Sequence, residues 1–354
     1  MKALSKDAPV VITGGAGFIG TNLADRLLSV GEEVLIFDNL SRDGVDRNLR
    51  WLQSRYGRRL RLSRRDIRDR AAVFAAVNGA SCIFHLAAQV AVTTSLQNPS
   101  LDFEVNALGT LNVLEALRQT NPLAPLVYTS TNKVYGCMQR FGLELKEDRY
   151  MPADRHIRER GFDESESLAF ASPYGCSKGT ADQYILDYAS SYGLQTTVLR
   201  MSCIYGPHQM GTEDQGWVAH FFRQAIEDLP ITIYGDGRQV RDLLFAEDLI
   251  DALLLVRERS RSHAGEVFNI GGGPANSASI REVLCMIGEF QERAPKLEFG
   301  EWRTGDQKYY VTDFSKFKEA TGWLPTTNLQ DGMRRLHSWI RDHHYCSTAQ
   351  TLAA

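Results

Sequence analysis

The stretch VVITGGAGFIG, residues 10–20, constrains the fold more than any other part of the chain. A short run of β-branched residues leads straight into glycines at 14, 17 and 20, and the residues that follow repeat with helical period. Strand, tight turn and helix is the reading this order supports, because glycine permits the turn, the close approach of backbone to a ligand, and the packing of helix on strand. The first turn of such a helix has N–H groups without intrahelical partners, and their positive dipole suits a pyrophosphate. Asp38 closes the next apolar run, where a carboxylate can accept from the hydroxyls of an adenosine ribose. That carboxylate also repels a 2′-phosphate and so favours NAD over NADP, with Arg42 nearby as the opposing feature. The competing reading is a glycine turn that serves helix-on-sheet packing alone.

The chain keeps this rhythm to about residue 203. Apolar runs at 10–13, 33–38, 59–67, 81–87, 126–130 and 196–202 alternate with amphipathic stretches near 19–30, 46–55, 69–78, 101–119 and 175–191. The alternation predicts an α/β fold, a Rossmann-type doubly wound parallel sheet. Beyond residue 203 the pattern loosens among Gly, Pro and aromatic residues, which predicts a smaller mixed α/β substrate-binding domain. At 354 residues there is chain enough for both. The expected division is 1–203 with 238–272 for the NAD-binding domain, 204–237 with 273–345 for the substrate domain, and a disordered tail over 346–354. The connection 137–173 contains the charged section KEDRYMPADRHIRERGFDESE, and its length predicts a lid or an insertion.

Composition removes several function classes. A net charge of -3 gives no bulk attraction for nucleic acid or an anionic membrane, so an anionic ligand needs a local basic site. The arginines in RNLRWLQSRYGRRLRLSRR, residues 47–65, read as a solvated face around a helix and strand. No apolar run is long enough to span a bilayer, and no membrane partner is expected. Six cysteines, at 82, 137, 176, 203, 285 and 346, lack the spacing of a metal site, and nothing at the N-terminus marks export. They are expected to be reduced thiols of a cytoplasmic protein, with no metal bound.

The second chemical motif is SPYGCSKG, which puts Tyr174 and Lys178 one helical turn apart on the same face. A tyrosine with its ordinary pKa of about 10 is a poor base at neutral pH. A nearby ammonium, together with the positive nicotinamide of oxidised NAD, stabilises the phenolate and makes it a competent one. The alternative is an exposed helix with an amphipathic tyrosine and a solvated lysine. Asp66 and Ile67 end the third apolar run, where an adenine should lie, and Ala87 and Ala88 in HLAAQ leave room for a cofactor. His85 in the same run reads as a satisfied core histidine.

TGGAGFIG, Asp38, HLAAQ, VNALGT (105–110), Thr131, and Tyr174 with Lys178 together resemble the extended short-chain dehydrogenase/reductase family, in its NAD-dependent epimerase/dehydratase branch. The likeness runs from about residue 9 to 340. Within that branch STNKVYG, SPYGCSKGTADQY, TEDQGW, GDGRQVRD, FNIGG and GDQKYYVTD resemble the 2-epimerases of CDP-hexoses. The resemblance implies that Thr131, Tyr174 and Lys178 are catalytic. It implies cofactor contacts at Gly14, Gly17, Phe18, Ile19, Gly20, Asp38, Asn39, Asp66, Ile67, Leu86, Ala87, Ala88, Gln89 and Asn106, besides Tyr174 and Lys178. For a nucleotide-diphosphate sugar it implies Thr131, Asn132, Lys133, Gln215, Arg241, Arg303 and Asp306, with Arg241 on the diphosphate.

In the dehydratases of this family the threonine is followed by Asp and Glu, the acid and base of an elimination. Here Asn132 and Lys133 follow it. An amide does not titrate and an ammonium does not accept a proton, so these residues argue against elimination and leave oxidation of an alcohol. The implied reaction is a closed redox cycle in which C2 of the sugar is oxidised to a 2-keto sugar with bound NAD and reduced again on the other face. One departure stands out: His208 in YGPHQ occupies the place of a family arginine. Two rivals stay open, a C4-epimerase of a UDP- or GDP-sugar and a non-enzymatic NAD-binding regulator. Association through Rossmann-domain helices, as homodimer or homotetramer, is implied by the resemblance.

Overall fold

The structure, a computed structural model, describes residues 8–303 and 305–351, with side chains described as far as His343. The chain divides into two compact units, one made of residues up to Gly136, Ser167–Met201 and Ile250–Asn269, the other of Cys137–Glu166, Ser202–Leu249 and the chain from Ile270 onward.

The first unit is built on a seven-stranded sheet. Its strands are β1 (Val10–Thr13), β2 (Val34–Phe37), β3 (Leu60–Ser63), β4 (Cys82–His85), β5 (Leu126–Thr131), β6 (Thr196–Met201) and β7 (Val267–Ile270). They lie in the order β3-β2-β1-β4-β5-β6-β7, and β1 to β6 pair in parallel. The order reverses between β1 and β4, the switch point at which doubly wound sheets open a crevice for ligands. The helices are α1 (Phe18–Ser29), α2 (Val45–Tyr56), α3 (Arg70–Val77), α4 (Val92–Gln97), α5 (Pro99–Phe103), α6 (Gly109–Thr120) and α7 (Ser172–Tyr192). All four residues of β1 and of β4 are buried, as expected of strands covered on both faces. Val11, Ile83, Leu126, Tyr128 and Val198 from the strands pack with Val113, Leu117, Ala181 and Ile185 from α6 and α7. Truncating a buried leucine such as Leu117 to alanine in a core of this kind costs about 2–5 kcal/mol.

Register decides what reaches the edge of the sheet. Tyr128 of β5 stands opposite His85, the last residue of β4, so Thr129 to Thr131 run on past β4 and pair with β6 alone. That overhang carries Thr131 to the rim. Two elements differ from the sequence reading. β3 stops at Ser63, so Asp66 and Ile67 lie in the turn that follows it, with the Asp69 N–H closing on the Asp66 carbonyl. The expected continuous helix over 101–119 is broken by a π-helical turn, Glu104–Leu108, between α5 and α6. A wide turn of this kind re-aims side chains, and here it carries Asn106.

In the second unit the strand Val240–Phe245 pairs in parallel with Cys203–Tyr205 and Tyr309–Tyr310, and antiparallel with Ser277–Ser279. Phe222, Ile231, Leu243, Val283, Met333 and Leu336 share its core. Residues 137–166 and 238–249 belong here, where the sequence reading assigned them to the first unit. Pairing is the reason. Val240–Phe245 finds its neighbours in this unit, and the hairpin Leu143–Lys146 with Arg149–Pro152 is tied to it by Tyr150 N–H donating to the Arg238 carbonyl and by Arg149 donating to Ser277. The long connection 137–173 therefore contains an ordered hairpin. In the stretch 346–354 the helical backbone of Leu329–Thr351 continues to Thr351, and residues 352–354 lie outside the described residues.

Candidate active site

The first half of the site is a cradle at the end of β1. Gly14 has a left-handed φ of 69°, and a Cβ there would lie 2.8 Å from the Ala87 nitrogen; one at Gly20 would lie 2.5 Å from the Gly14 oxygen. At Gly17 the nearest atom to such a Cβ is the Gly14 oxygen at 3.1 Å, so the space above this residue is what a side chain would fill. Among the described residues no side chain caps α1, and its first turn carries no acid, which presents the N–H end led by Phe18 and Ile19 to an anion. Asp38 accepts from Ala16 N–H at 3.0 Å and Leu40 N–H at 2.8 Å. Burial raises its carboxyl, while those two bonds and Arg42 pull the other way. Asn39 donates to Asp66 at 2.9 Å, and Arg68 beside Asp66 holds that carboxyl down to about 2. Ile67 is buried against Gly109, whose Cβ would meet it at 2.8 Å. The N–H groups of Leu86 and Ala87 both reach the Thr13 hydroxyl at 3.2 Å. His85 sits fully buried between Thr13 and Thr110, and burial, then the charge of Lys178, pushes it down to about 3. It is an uncharged core histidine. The glycine floor, uncapped helix, small alanines and ribose-side carboxylate fit a dinucleotide of the NAD kind.

The second half lies at the overhang of β5. The Thr131 hydroxyl lies near enough to the Tyr174 phenol to act on it, and accepts from Lys133 N–H at 3.2 Å. Asn132 and Lys133 begin a 3₁₀ turn, Asn132–Tyr135, so neither continues the strand. Tyr174 is 8% exposed, and burial pushes its phenol up to about 12; Thr131 opposes the shift and the Asp102 carboxylate adds to it. Lys178 donates to the Thr129 carbonyl at 2.6 Å and lies 4.2 Å over the Tyr128 ring. Burial pushes it down to about 7, against Asp182 and Asp102. The expected pull of the lysine on the tyrosine is therefore absent among the influences on Tyr174 in the protein alone. Desolvation dominates both groups and drives each towards its neutral form.

Sequence reasoning missed the polar network beneath this pair. Asn106 donates to the Gln89 carbonyl at 3.0 Å, to Asp102 at 3.2 Å and to Ser177 at 3.0 Å, and accepts from Gln89 N–H at 2.8 Å. Ser177 donates to Asp102, which is fully buried. Asp182 forms a buried bidentate pair with Arg200 at 2.8 and 3.0 Å, and Arg200 also reaches the Tyr135 hydroxyl. The one signal in the sequence was the spacing of Asp102 and Asn106, four residues apart on a stretch read as helix.

The second unit holds four of the seven residues implied for the nucleotide sugar, Gln215, Arg241, Arg303 and Asp306, while Thr131, Asn132 and Lys133 belong to the first. Arg241 pairs with Asp306 at 2.9 Å. Arg303 pairs with Asp214 at 3.3 Å, donates to the Glu213 carbonyl and lies 3.7 Å over the Tyr234 ring. Gln215, next in the same loop, bridges Thr212 through its backbone, and its side-chain oxygen is buried without a hydrogen-bond partner among the described residues. A cavity of about 580 Å³ in this unit is lined by Met138, Phe141, Tyr150, Trp302, Arg303, Asp306 and Lys308 among others. His208 is buried, has a left-handed φ of 66° and packs on the rings of Trp339 and His343; burial pushes it down to about 4, so it carries no charge at neutral pH. Among the described residues no group of three or more His, Cys, Asp or Glu side chains is placed to hold a metal ion, and no helix is long and apolar enough to cross a membrane.

Comparison with known proteins agrees with this geometry. The profile of the NAD dependent epimerase/dehydratase family matches residues 10–271. A CDP-paratose 2-epimerase of Salmonella typhi is 43% identical over 93% of this chain and 98% of its own length. Among solved structures, the UDP-glucose 4-epimerase of Thermus thermophilus in complex with NAD superposes with a TM-score of 0.77 at 32% identity, covering 94% of this chain and 99% of that one. The UDP-glucose 4-epimerase of Thermotoga maritima with UDP-glucose gives 0.80 at 29%, covering 95% and 99%. Fold, cradle and sequence thus converge, and this chain belongs to the NAD-dependent epimerase/dehydratase family.

Proposed function

We propose that this chain is a nucleotide-sugar epimerase that inverts C2 of a CDP-hexose, of the CDP-paratose to CDP-tyvelose type, through a 2-keto sugar. The observation that carries the reading is the rim of β5, where Thr131 stands beside Tyr174 and the next two side chains are an amide and an amine rather than the two carboxylates an elimination requires. The choice of C2 and of a CDP-sugar is supported by the likeness to the Salmonella typhi CDP-paratose 2-epimerase.

NAD, when bound, supplies a reversible two-electron oxidation of the sugar carbinol. Thr131 orients the reacting hydroxyl. Tyr174 takes its proton and holds it while the flat ketone turns, then returns it to the same oxygen. A phenol with so high a proton affinity suits holding, and the positive pyridinium of the bound cofactor lowers it towards the range in which it also accepts. Lys178 holds the nicotinamide ribose, and Gly14, Gly17, Gly20 and Asp38 fix the rest of the dinucleotide. Arg241 holds the diphosphate, Arg303, Asp306 and Gln215 contact the nucleotide sugar, and Asn132 and Lys133 border the sugar ring.

A second reading, C4 inversion of a UDP- or GDP-sugar, is favoured by the structural likeness to UDP-glucose 4-epimerases. The same side chains serve either carbon. The test is incubation of the purified protein, without added cofactor, with CDP-, UDP- and GDP-sugars in deuterated water. We expect inversion at C2 of a CDP-hexose with no solvent deuterium at that carbon. Inversion at C4 installs the second reading, and deuterium at the inverted carbon rules out both. The presence of Tyr174 and Lys178 together argues against a non-enzymatic NAD-binding regulator, and a Tyr174→Phe variant with full biological effect would restore that reading.

We further propose a cytoplasmic homodimer or homotetramer. The free thiols at Cys82, Cys137, Cys176, Cys203 and Cys285 support the compartment, and exposed Phe103, Leu108, Tyr184 and Tyr192 on the helical face of the first unit support association. Sedimentation velocity reads the second point directly, and a monomer at micromolar concentration would remove it.

A further inference from the structure

We propose that Asp102 is a positioning residue for this reaction: its carboxylate, clamped by Ser177 and Asn106 beneath the helix that carries Tyr174 and Lys178, supplies the negative charge that holds both groups in their working protonation states. The inference rests on the reading of Tyr174 as the group that takes and returns the sugar proton.

The geometry is that of a held charge. Asp102 is 0% exposed, at the end of α5 just before the π-helical turn. One carboxylate oxygen accepts from the Ser177 hydroxyl and the other from the Asn106 amide at 3.2 Å. Ser177 stands one residue before Lys178 and three after Tyr174, so the clamp grips the catalytic turn of α7 itself. Around the pair, β4 contributes His85, which is uncharged, and β5 contributes the Tyr128 ring, the Thr129 carbonyl and the Thr131 hydroxyl. α7 contributes Asp182, whose charge is offset by the bidentate Arg200 of β6. Asp102 has for partners a hydroxyl and an amide, both neutral, so its field on the catalytic pair is not cancelled locally. Burial raises its own carboxyl, and the Ser177 bond, then the charge of Lys178, pull the other way.

The consequence has a definite sign. A negative charge raises the proton affinity of both neighbours, and Asp102 acts in that direction on Tyr174 and on Lys178. If the working state pairs a phenolate with an ammonium, the acid limb of the rate profile follows Tyr174 and the alkaline limb follows Lys178. Removing the charge must move both limbs the same way, to lower pH.

The test is the pH dependence of kcat/KM for Asp102→Asn, a near-isosteric change, in the NAD-loaded protein. We expect both limbs to move to lower pH by about one unit, the size of effect one nearby charge exerts on a buried group. Ultraviolet titration of the phenolate, taken as the difference from Tyr174→Phe in the same background, reads the tyrosine shift without substrate. Ser177→Ala removes the bond that favours the charged carboxylate, and is expected to move the limbs in the same direction by less, with no added shift on top of Asp102→Asn. A fall in rate with both limbs unmoved makes Asp102 a structural residue and overturns the proposal. Should Asp102→Asn fail to fold, unmoved limbs in Ser177→Ala overturn it equally. Turnover that survives Tyr174→Phe is a different failure, that of the functional reading.

Discussion

The rim of β5 and the arginine cluster of the second unit handle charge in opposite ways. Tyr174 and Lys178 are buried at 8% and 4% exposure, and Lys178 answers to a backbone carbonyl and an aromatic face. Arg241 and Arg303 are each matched by a carboxylate, Asp306 and Asp214, and keep side-chain exposures of 13% and 28%. In the first region burial leaves the protonation state to be decided by a few neighbours and by the cofactor. In the second each guanidinium is already paired with a carboxylate, and a bound anion would exchange one partner for another. The rim is therefore where rate should be won or lost, and the cluster is where affinity should be.

Two variants can break that contrast. Tyr174→Phe removes the group that takes and returns the proton, and is expected to cost about a thousandfold in kcat, within the range of general acid–base catalysis, with the melting temperature and the bound NAD retained. Full turnover in this variant would remove the rim from the chemistry. Arg241→Ala should act on the other side of the contrast. Loss of a charge-assisted bond to a phosphate is worth about 1.5–3 kcal/mol, so KM for the nucleotide sugar is expected to rise roughly 10- to 100-fold with kcat changed by less than about threefold. Steady-state kinetics with one substrate decides it. A kcat that falls as far as kcat/KM would mean that the cluster also shapes the transition state.

The same contrast explains how far the sequence could be read. The doubly wound parallel sheet and the cradle were legible because each depends on local pattern: β-branched runs, glycines at fixed offsets, and an acid closing the second strand. Tyr174 and Lys178 were legible because one helical turn places them on one face. The direction of their proton affinities was not, since it depends on burial, and burial comes from strands and helices distant in the chain. Lys178 was expected to pull Tyr174 down, yet its ammonium is turned to Thr129 and Tyr128. The pairing of Asp102 with Ser177 was not legible for a related reason. The π-helical turn at Glu104–Leu108 shifts the phase of the helix, so a periodic reading across 101–119 gives Asp102 the wrong neighbours. The connection 137–173 was read from its length as a lid or an insertion, and the hairpin at 143–152 within it went unseen because its strands are short and charged and its partners lie far along the chain at Arg238 and Ser277.

A stability measurement sharpens the contrast most, because it reads the rim with no substrate present. Lys178 in the folded protein holds its proton only to about pH 7, against 10.5 for an ordinary lysine. Between those values the unfolded chain binds a proton that the folded protein does not, so stability must rise as pH increases through that window. The contribution is complete above the unfolded value and is lost as pH falls through the folded one. Lys178→Met fills the same space with an uncharged chain, and its stability should lack that rise, so denaturant midpoints of the two proteins should converge at alkaline pH and separate in favour of the variant towards neutrality. Tyr174, raised to about 12, adds the opposite slope above pH 10 in both proteins. Arg241→Ala should show no such pH-dependent difference from the parent, because a guanidinium does not titrate in that window with or without a partner. If the arginine variant bends the stability curve and the methionine variant does not, then titratable charge belongs to the second unit and not to the rim, and the division of labour drawn between them is reversed.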